Sequence, residues 1–511
     1  MPDPAHGGAY AVASPHADAT EAGRAAFAAG GNAVDAALAA ACALTVVYPH
    51  MCAVGGDIMA LVHDGQAHAI NASGRAPAAA PAGGEVAERG VHTITVPGAV
   101  SAWHTLSERW GARPAAAAIE VAAELAERGV PVARSLAGAL ADEAKLVAAD
   151  PGMRRVFSNE GRVLRMGDTL VQPALAATLR RLAANGADEL YRGETGERLV
   201  AGLAALGCLL TTADLAAHRA DVEPSLHLTL GGLELHTMGA NSQGFCLPQI
   251  LATVAHLELD DPLGAGAPML AAIFRESARD RDAHLADPAA MPRPVEALLT
   301  PEHIADVARR AAASAARAEM TTPAHGDTIA VVAADATGLS VSLIQSIFSG
   351  FGSGVLEPET GILLHNRGAC FSSDPASPNA LGPGKRPLHT LMPLIGTTDG
   401  RPTWVAGTMG GRAQAQIHAQ MLLRRRAGGD VVTAVSAPRM IVGDLEAGGR
   451  DVAVEEDFAS ARDAFARAGV EPAVMPRLSE AAGHAHAIVP TGDGSFEAAS
   501  DPRSDGAAVC S

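Results

Sequence analysis

Thr328 is the residue that most invites a chemical reading. It follows His325-Gly326-Asp327 and opens the apolar run Ile329-Ala330-Val331-Val332. A threonine hydroxyl is a weak nucleophile unless a base takes its proton. The α-amine of an N-terminal threonine, with a free pKa of about 8, is such a base. Inside an intact chain that nitrogen is an amide and cannot act. Cleavage before Thr328 would create nucleophile and base in one step. The working pieces would then be 1–327, a large subunit, and 328–511, a small subunit bearing the threonine, within one intertwined domain. The tripeptide Gly326-Asp327-Thr328 is weak evidence alone, because a β-branched residue after a glycine-bearing break is also an ordinary strand start.

The elements around Thr328 must bring it a partner. Asp335-Ala336-Thr337-Gly338 has the composition of a β-turn, with Asp first and Gly fourth. If those four residues form the loop, Ala334 pairs with Leu339, and Thr328 faces Gln345 with Ser346 beside it. A register error of one residue still leaves the Ser346 hydroxyl close. Upstream, residues 11–14 read as a strand and the next helix ends near Ala29, with Asp18 as N-cap. Asn32 caps a second helix over 33–45. Residues 58–63 read as a strand, and the short β-branched run 93–96 leads to Pro97-Gly98-Ala99, where a helix starts. Helical spacing fills 113–222. Residues 226–235 form a strand broken by a turn at Gly231-Gly232, helices follow at 247–257 and 303–318, and 320–327 is a loop. The mixed order of strands and helices argues for α+β layers, sheets covered by helices, and against a doubly wound parallel sheet.

Composition narrows the function. The chain has 511 residues, 48% hydrophobic and only 3% aromatic, so its core is built largely from alanine and other small side chains. A formal net charge of −18 excludes a basic nucleic-acid surface. The six cysteines are scattered without a C-x-x-C pair, which fits reduced thiols and a cytoplasmic protein. No signal peptide is legible at the start, and the apolar stretch 33–47 contains Asp35 and is too short to span a bilayer. No membrane partner is expected.

Taken whole, the sequence resembles the gamma-glutamyltranspeptidase family of N-terminal-nucleophile hydrolases. The resemblance rests on Gly30-Gly31-Asn32-Ala33-Val34-Asp35-Ala36-Ala37, Pro49-His50, Gly55-Gly56 and Val96-Pro97-Gly98. It resumes at Gly326-Asp327-Thr328, Phe351-Gly352-Ser353-Gly354, Gly361-Ile362-Leu363-Leu364, Lys385-Arg386-Pro387, Gly410-Gly411 and Ser500-Asp501-Pro502-Arg503, in the family's order. It implies a four-layer αββα sandwich and self-processing into two subunits. Thr328 falls on the family's nucleophile. Ser346 falls where the family carries a supporting threonine hydroxyl. Gly410 and Gly411 fall on the pair whose backbone N–H groups form the oxyanion hole, a role glycine suits because a carbonyl can approach its backbone closely.

The departures bear on the substrate. Where the resemblance implies a polar set holding a γ-glutamyl group, this chain has Phe348 for an asparagine and Cys370 for the acid that binds the α-amine. Arg367 stands for that acid's polar neighbour, and His389-Thr390 for a serine pair. The carboxylate-binding arginine aligns with Ser73, and Arg75 lies two residues on. An acid is lost and cationic groups are gained, which suits a carboxylate or neutral amide better than an ammonium. Ser73-Gly74-Arg75-Ala76-Pro77, Ile344-Gln345-Ser346, Asn366-Arg367-Gly368-Ala369, Met409-Gly410-Gly411 and Ser479-Glu480-Ala481 resemble the oxamate amidohydrolase-like branch, in which the substrate is a small amide bearing a carboxylate. Arg75, Arg367, His389 and Thr390 are therefore the candidates for substrate recognition, although either arginine could instead make a structural ion pair.

Other signals carry less. Gly350-Phe351-Gly352-Ser353-Gly354 is followed by Glu357-Pro358 and not by a helix, which argues against dinucleotide binding. His484 and His486 lack further ligands at zinc spacing. Arg424-Arg425-Arg426 reads as a solvated helix end, and Arg412, next to the glycine pair, reads equally as substrate contact or surface. The expectation is a cofactor-free, metal-free amidohydrolase or acyltransferase. Whether the processed heterodimer pairs with a second one is left open. A true gamma-glutamyltransferase or glutathione hydrolase is the rival reading, and an unprocessed binding homologue a remote one.

Overall fold

A computed structural model describes residues 5–315, 327–443 and 451–511. Two seven-stranded sheets lie face to face. One has the strand order Ala507–Cys510, Tyr10–Ser14, Asp327–Asp335, Ser340–Phe348, Asp57–His63, Ala67–Asn71, Asp221–Pro224. The other runs Ala5–Gly7, Phe496–Ser500, Ala485–Pro490, Arg401–Thr408, Leu394–Thr398, Leu233–Thr237, Leu226–Leu230.

Period-two alternation separates the layers. Along Asp327–Asp335, residues Ile329, Val331 and Ala333 join a large core beneath the helices Ala17–Ala28, Ala33–Val47, Ala115–Arg128 and Pro173–Asn185. Ala330, Val332 and Ala334 point the other way, into a smaller core between the sheets with Ile344, Leu391, Ile395, Val405 and Ile488. The second sheet buries Leu235, Leu394, Trp404 and Ala487 under Cys246–His256, Ala267–His284 and Gln414–Arg426. This is the four-layer αββα sandwich. The Ala33–Val47 helix is buried along its whole length, and its alanines let neighbouring helices approach closely.

Several local expectations change. The first helix is capped by His16, whose Nδ1 accepts from the Asp18 N–H, so the cap lies two residues before Asp18. Asn32 does cap the second helix, in a reciprocal box with Asp35, but that helix runs on to Val47. The run 93–96 forms no strand. Thr93 ends a 3-10 turn, Val96 donates to the Arg75 carbonyl, and Thr95 meets His365, so its polar groups bond to loops. Arg424 is no solvated residue; it is buried and donates to the Pro438 carbonyl. Of the loop expected over 320–327, residues 320–326 lie outside the described residues, and Asp327 opens its strand.

Candidate active site

Thr328 pairs with Ser346 across the central hairpin, one register position from the pairing with Gln345 that the turn count gives. The turn causes the difference. Gly338 donates to the Asp335 carbonyl, closing the expected turn, but Gly338 itself sits at φ +93° and Leu339 adds a residue before pairing begins at Ser340. A left-handed glycine after the turn is the usual three-residue hairpin device. Ladder partners share a face, so both hydroxyls point between the sheets.

Thr328 and Ser346 are buried, and Thr328 Oγ1 donates to Ser346 Oγ at 3.1 Å. Ser346 Oγ in turn donates to the Asp327 carbonyl at 2.7 Å. It also accepts from the Phe348 N–H at 2.8 Å and from Arg367 Nη2 at 3.2 Å. One hydroxyl therefore touches the threonine, the carbonyl that precedes it, and a cation. Burial pushes the Asp327 carboxyl up to about 7, against the opposing pull of Arg89.

Arg367 opens the 3-10 turn Arg367–Cys370 and is fully buried. Its Nη1 donates to Thr390 Oγ1 at 3.1 Å, and its guanidinium lies 4.6 Å from the centre of the Phe348 ring. Phe348 holds φ +77°, a strained conformation for a bulky residue. Asp57, opposite Ser346 on the next strand, faces Arg367 Nε at 3.9 Å. Asp57 also receives His389 Nε2 at 3.2 Å and lies 3.3 Å from His365 Nδ1. His389 Nδ1 accepts from the Leu391 N–H at 3.3 Å, which leaves Nε2 as the donor to Asp57. Burial, with Arg367 adding to it, pushes His389 down to about 3, so the ring is neutral. Burial would raise the Asp57 carboxyl, yet His365 and His389 outweigh it and hold Asp57 below the usual carboxylate range. The permanent charge facing Asp57 is Arg367.

The glycine pair follows the Arg401–Thr408 strand. Ser342 Oγ donates to the Ala406 carbonyl at 2.7 Å, and a Cβ on Gly407 would lie 2.8 Å from both Ala330 and Ile344. The strand thus advances over Ala330 and Ile344 in the direction of Thr328 and Ser346. Gly410 and Gly411 then take φ +141° and +52°, conformations that favour glycine. Gln243 Nε2 pins this loop, donating to the Gly411 carbonyl at 2.8 Å and the Thr390 carbonyl at 2.7 Å. Neither glycine N–H meets an acceptor among the described residues.

Four sequence candidates, Thr328, Ser346, Arg367 and Thr390, form one hydrogen-bonded group, with His389 joined to it through Asp57. Arg75 is not in that group. Half-exposed, it donates to Asp287 Oδ2 at 2.9 Å and to the Gly384 carbonyl at 3.0 Å. Arg412 is better placed than its sequence indicated. Its Nε is buried without a partner among the described residues, and its carbonyl accepts from Arg281. Burial lowers its guanidinium pKa, with further pressure from Arg281 and Arg367. Asp57 and His365 were not singled out in the sequence. The available signal was an acid opening the otherwise apolar strand Asp57–His63.

Comparison with known proteins bears on this geometry. The family model for gamma-glutamyltranspeptidase matches residues 19–511. The chain belongs to the gamma-glutamyltranspeptidase family. It is 38% identical to the oxamate amidohydrolase proenzyme of Klebsiella pneumoniae, over 99% of this chain and 98% of that one. It is 29% identical to the glutathione hydrolase proenzyme of Escherichia coli, over 96% and 90%. The crystal structure of cephalosporin acylase from Bacillus halodurans superposes with a TM-score of 0.91 at 31% identity, covering 100% of this chain and 97% of that one. The protein is thus an enzyme of the self-processing N-terminal-nucleophile hydrolase class, and the proenzyme relatives imply cleavage into a large and a small subunit. All six cysteines are free thiols. Among the described residues, no helix is long and apolar enough to cross a membrane.

Proposed function

We propose that the enzyme cuts itself between Asp327 and Thr328 and then hydrolyses a small amide that carries a carboxylate. The observation that carries this reading is the Ser346 hydroxyl, which bonds at once to Thr328 Oγ1, the Asp327 carbonyl and Arg367. In the precursor, Ser346 polarises the Asp327 carbonyl while Thr328 Oγ1 attacks its carbon. The C–N bond breaks as the ester forms, which frees the Thr328 amine; water then hydrolyses the ester to the Asp327 carboxylate and the free Thr328 hydroxyl. In the mature enzyme that amine takes the Thr328 hydroxyl proton. The N–H groups of Gly410 and Gly411 stabilise the oxyanion, and an acyl-enzyme ester passes to water or to an amine.

Arg367 and Arg412 are the cations we assign to the substrate carboxylate, with Thr390 orienting Arg367. His389 acts on Asp57 and positions Arg367 at one remove. Arg75 keeps its ion pair with Asp287 and serves the loop. The 38% identity to an oxamate amidohydrolase proenzyme supports a small anionic amide. The free, mostly buried thiols suit a cytoplasmic location.

Two measurements test this. N-terminal sequencing of the smaller band on a denaturing gel should begin at Thr328, and an intact yet active chain would overturn the nucleophile assignment. Ammonia should be released from oxamate-like amides faster than p-nitroaniline from a γ-glutamyl anilide. The reverse order would favour a glutathione hydrolase, the reading that the glutathione hydrolase relative keeps alive.

A further inference from the structure

The hairpin of Leu226–Leu230 and Leu233–Thr237 forms the open edge of the second sheet. His227 and His236 are direct cross-strand partners, and Glu234 stands two residues before His236, so all three side chains project from one face. The Glu234 carboxylate lies 3.8 Å from His227 Nε2 and 3.6 Å from His236 Nε2. One ligand atom from each residue falls within 4.8 Å of the others. The catalytic reading uses none of them. We propose that His227, Glu234 and His236 bind a zinc-class divalent cation, with a remaining coordination position open to water.

The spacing, surroundings and chemistry of the cluster support the assignment. Tetrahedral zinc with bonds of about 2.0–2.1 Å to nitrogen and oxygen sets its ligand atoms roughly 3.3–3.5 Å apart, which the two Glu234 contacts nearly match. The whole cluster, within 4.8 Å, reaches that spacing by closing about 1 Å. His236 has an outer partner, because Ser225 Oγ lies 3.0 Å from its Nδ1 and fixes the ring with Nε2 towards Glu234. Thr397 Oγ1 bonds to His236 Nε2 at 3.2 Å and donates to Glu234 Oε2 at 3.4 Å, contacts that an entering cation replaces. Two imidazoles with one carboxylate select a borderline cation over calcium or magnesium, which prefer all-oxygen sites. The side chain of His227 is 59% exposed and that of His236 only 10%, so an ion can enter from solvent and bind against a fixed ligand.

The site is distinct from the nucleophile. The His236 ring centre lies 6.5 Å from that of His63, which is the ladder partner of Ser340. Ser346 lies six residues farther along that strand, or about 20 Å away. A cation here ties the two strands of the edge hairpin together and touches no reacting atom.

The test uses untagged full-length protein, cleared of metal by a chelator and titrated with Co²⁺ followed optically and with Zn²⁺ followed by calorimetry. One equivalent should bind, with the visible bands of tetrahedral Co²⁺, and Zn²⁺ should raise the thermal midpoint. His227→Ala, at an exposed position, should weaken binding by more than about tenfold and remove the midpoint rise. Glu234→Gln should do the same. A wild-type protein that takes up no stoichiometric Co²⁺, or a His227→Ala protein that binds as tightly as wild type, would overturn the proposal.

Discussion

Replacing Ser346 by alanine should stall cleavage of the precursor while leaving the sandwich folded. The substitution removes the donor to the Asp327 carbonyl at 2.7 Å and the acceptor of Thr328 Oγ1 at 3.1 Å. It also strands the Phe348 N–H and one Arg367 N–H, whose bonds to Ser346 Oγ are 2.8 and 3.2 Å. A neutral hydrogen bond contributes about 0.5–1.5 kcal/mol and one to a charged group about 1.5–3 kcal/mol. The two bonds that bear on the reacting atoms thus stabilise the transition state for cleavage by about 2–4 kcal/mol. At about 1.4 kcal/mol per tenfold, that slows cleavage by roughly 30- to 1,000-fold. The stranded donors cost stability instead, about 1–3 kcal/mol for the amide and more for the cation. The assay is a denaturing-gel time course beginning at translation, with circular dichroism and a thermal melt to show that the uncut chain is folded. Ser346→Thr keeps a hydroxyl and should restore most of the rate. A folded Ser346→Ala protein that matures as fast as wild type would refute the role given to this hydroxyl.

Other outcomes follow from the same geometry. Asp57→Ala should lower stability by about 3–5 kcal/mol in denaturant titration, because it leaves Arg367 a buried charge without its carboxylate. Arg412→Ala should raise KM for a carboxylate-bearing amide by roughly 10- to 100-fold, from about 1.5–3 kcal/mol of lost charged hydrogen bonding. Arg75→Ala should leave that KM unchanged, since its guanidinium is already taken by Asp287. Asp327→Asn, in an uncleavable Thr328→Ala background, should stabilise the precursor at pH 8. Burial pushes the folded Asp327 carboxyl up to about 7, so its ionisation penalty grows between about pH 4 and 7 and is constant above. The gap in melting temperature should therefore close on acidification and vanish near pH 4.

The layers were legible in the mixed order of strands and helices and in the family resemblance. For the central strands, buried on both faces, only the structure shows which core each residue enters. Ile329, Val331 and Ala333 separate cleanly from Ala330, Val332 and Ala334, and Asn32 with Asp35 states a helix start in four residues. The sequence carried the Thr328–Ser346 pairing to within one position, missing only what Leu339 does after a left-handed Gly338. Turn composition does not distinguish a loop closed at Gly338 from one that runs a residue longer. The cluster around Arg367 was harder to see. Asp57 and His389 lie 332 residues apart, and nothing local to either marks the other as its partner. Arg75 and Arg412 show the same limit. Both were cations near a motif, and only packing revealed that one is occupied by Asp287 while the Nε of the other is buried and unpartnered.

The strand order has a consequence for life after cleavage. Tyr10–Ser14 lies between Ala507–Cys510 and Asp327–Asp335, while Leu233–Thr237 and Asp57–His63 each flank a strand from beyond residue 327. Each half therefore threads the other's sheets, and neither half retains a complete sheet on its own. If the Asp327–Thr328 bond is cut as proposed, the halves can part only by unravelling both sheets together. Melting should accordingly be a single event, and its reversal should change on maturation. Recovery after denaturation would require two separate polypeptides to meet, and so would depend on concentration, whereas the uncut precursor would refold at a rate independent of dilution.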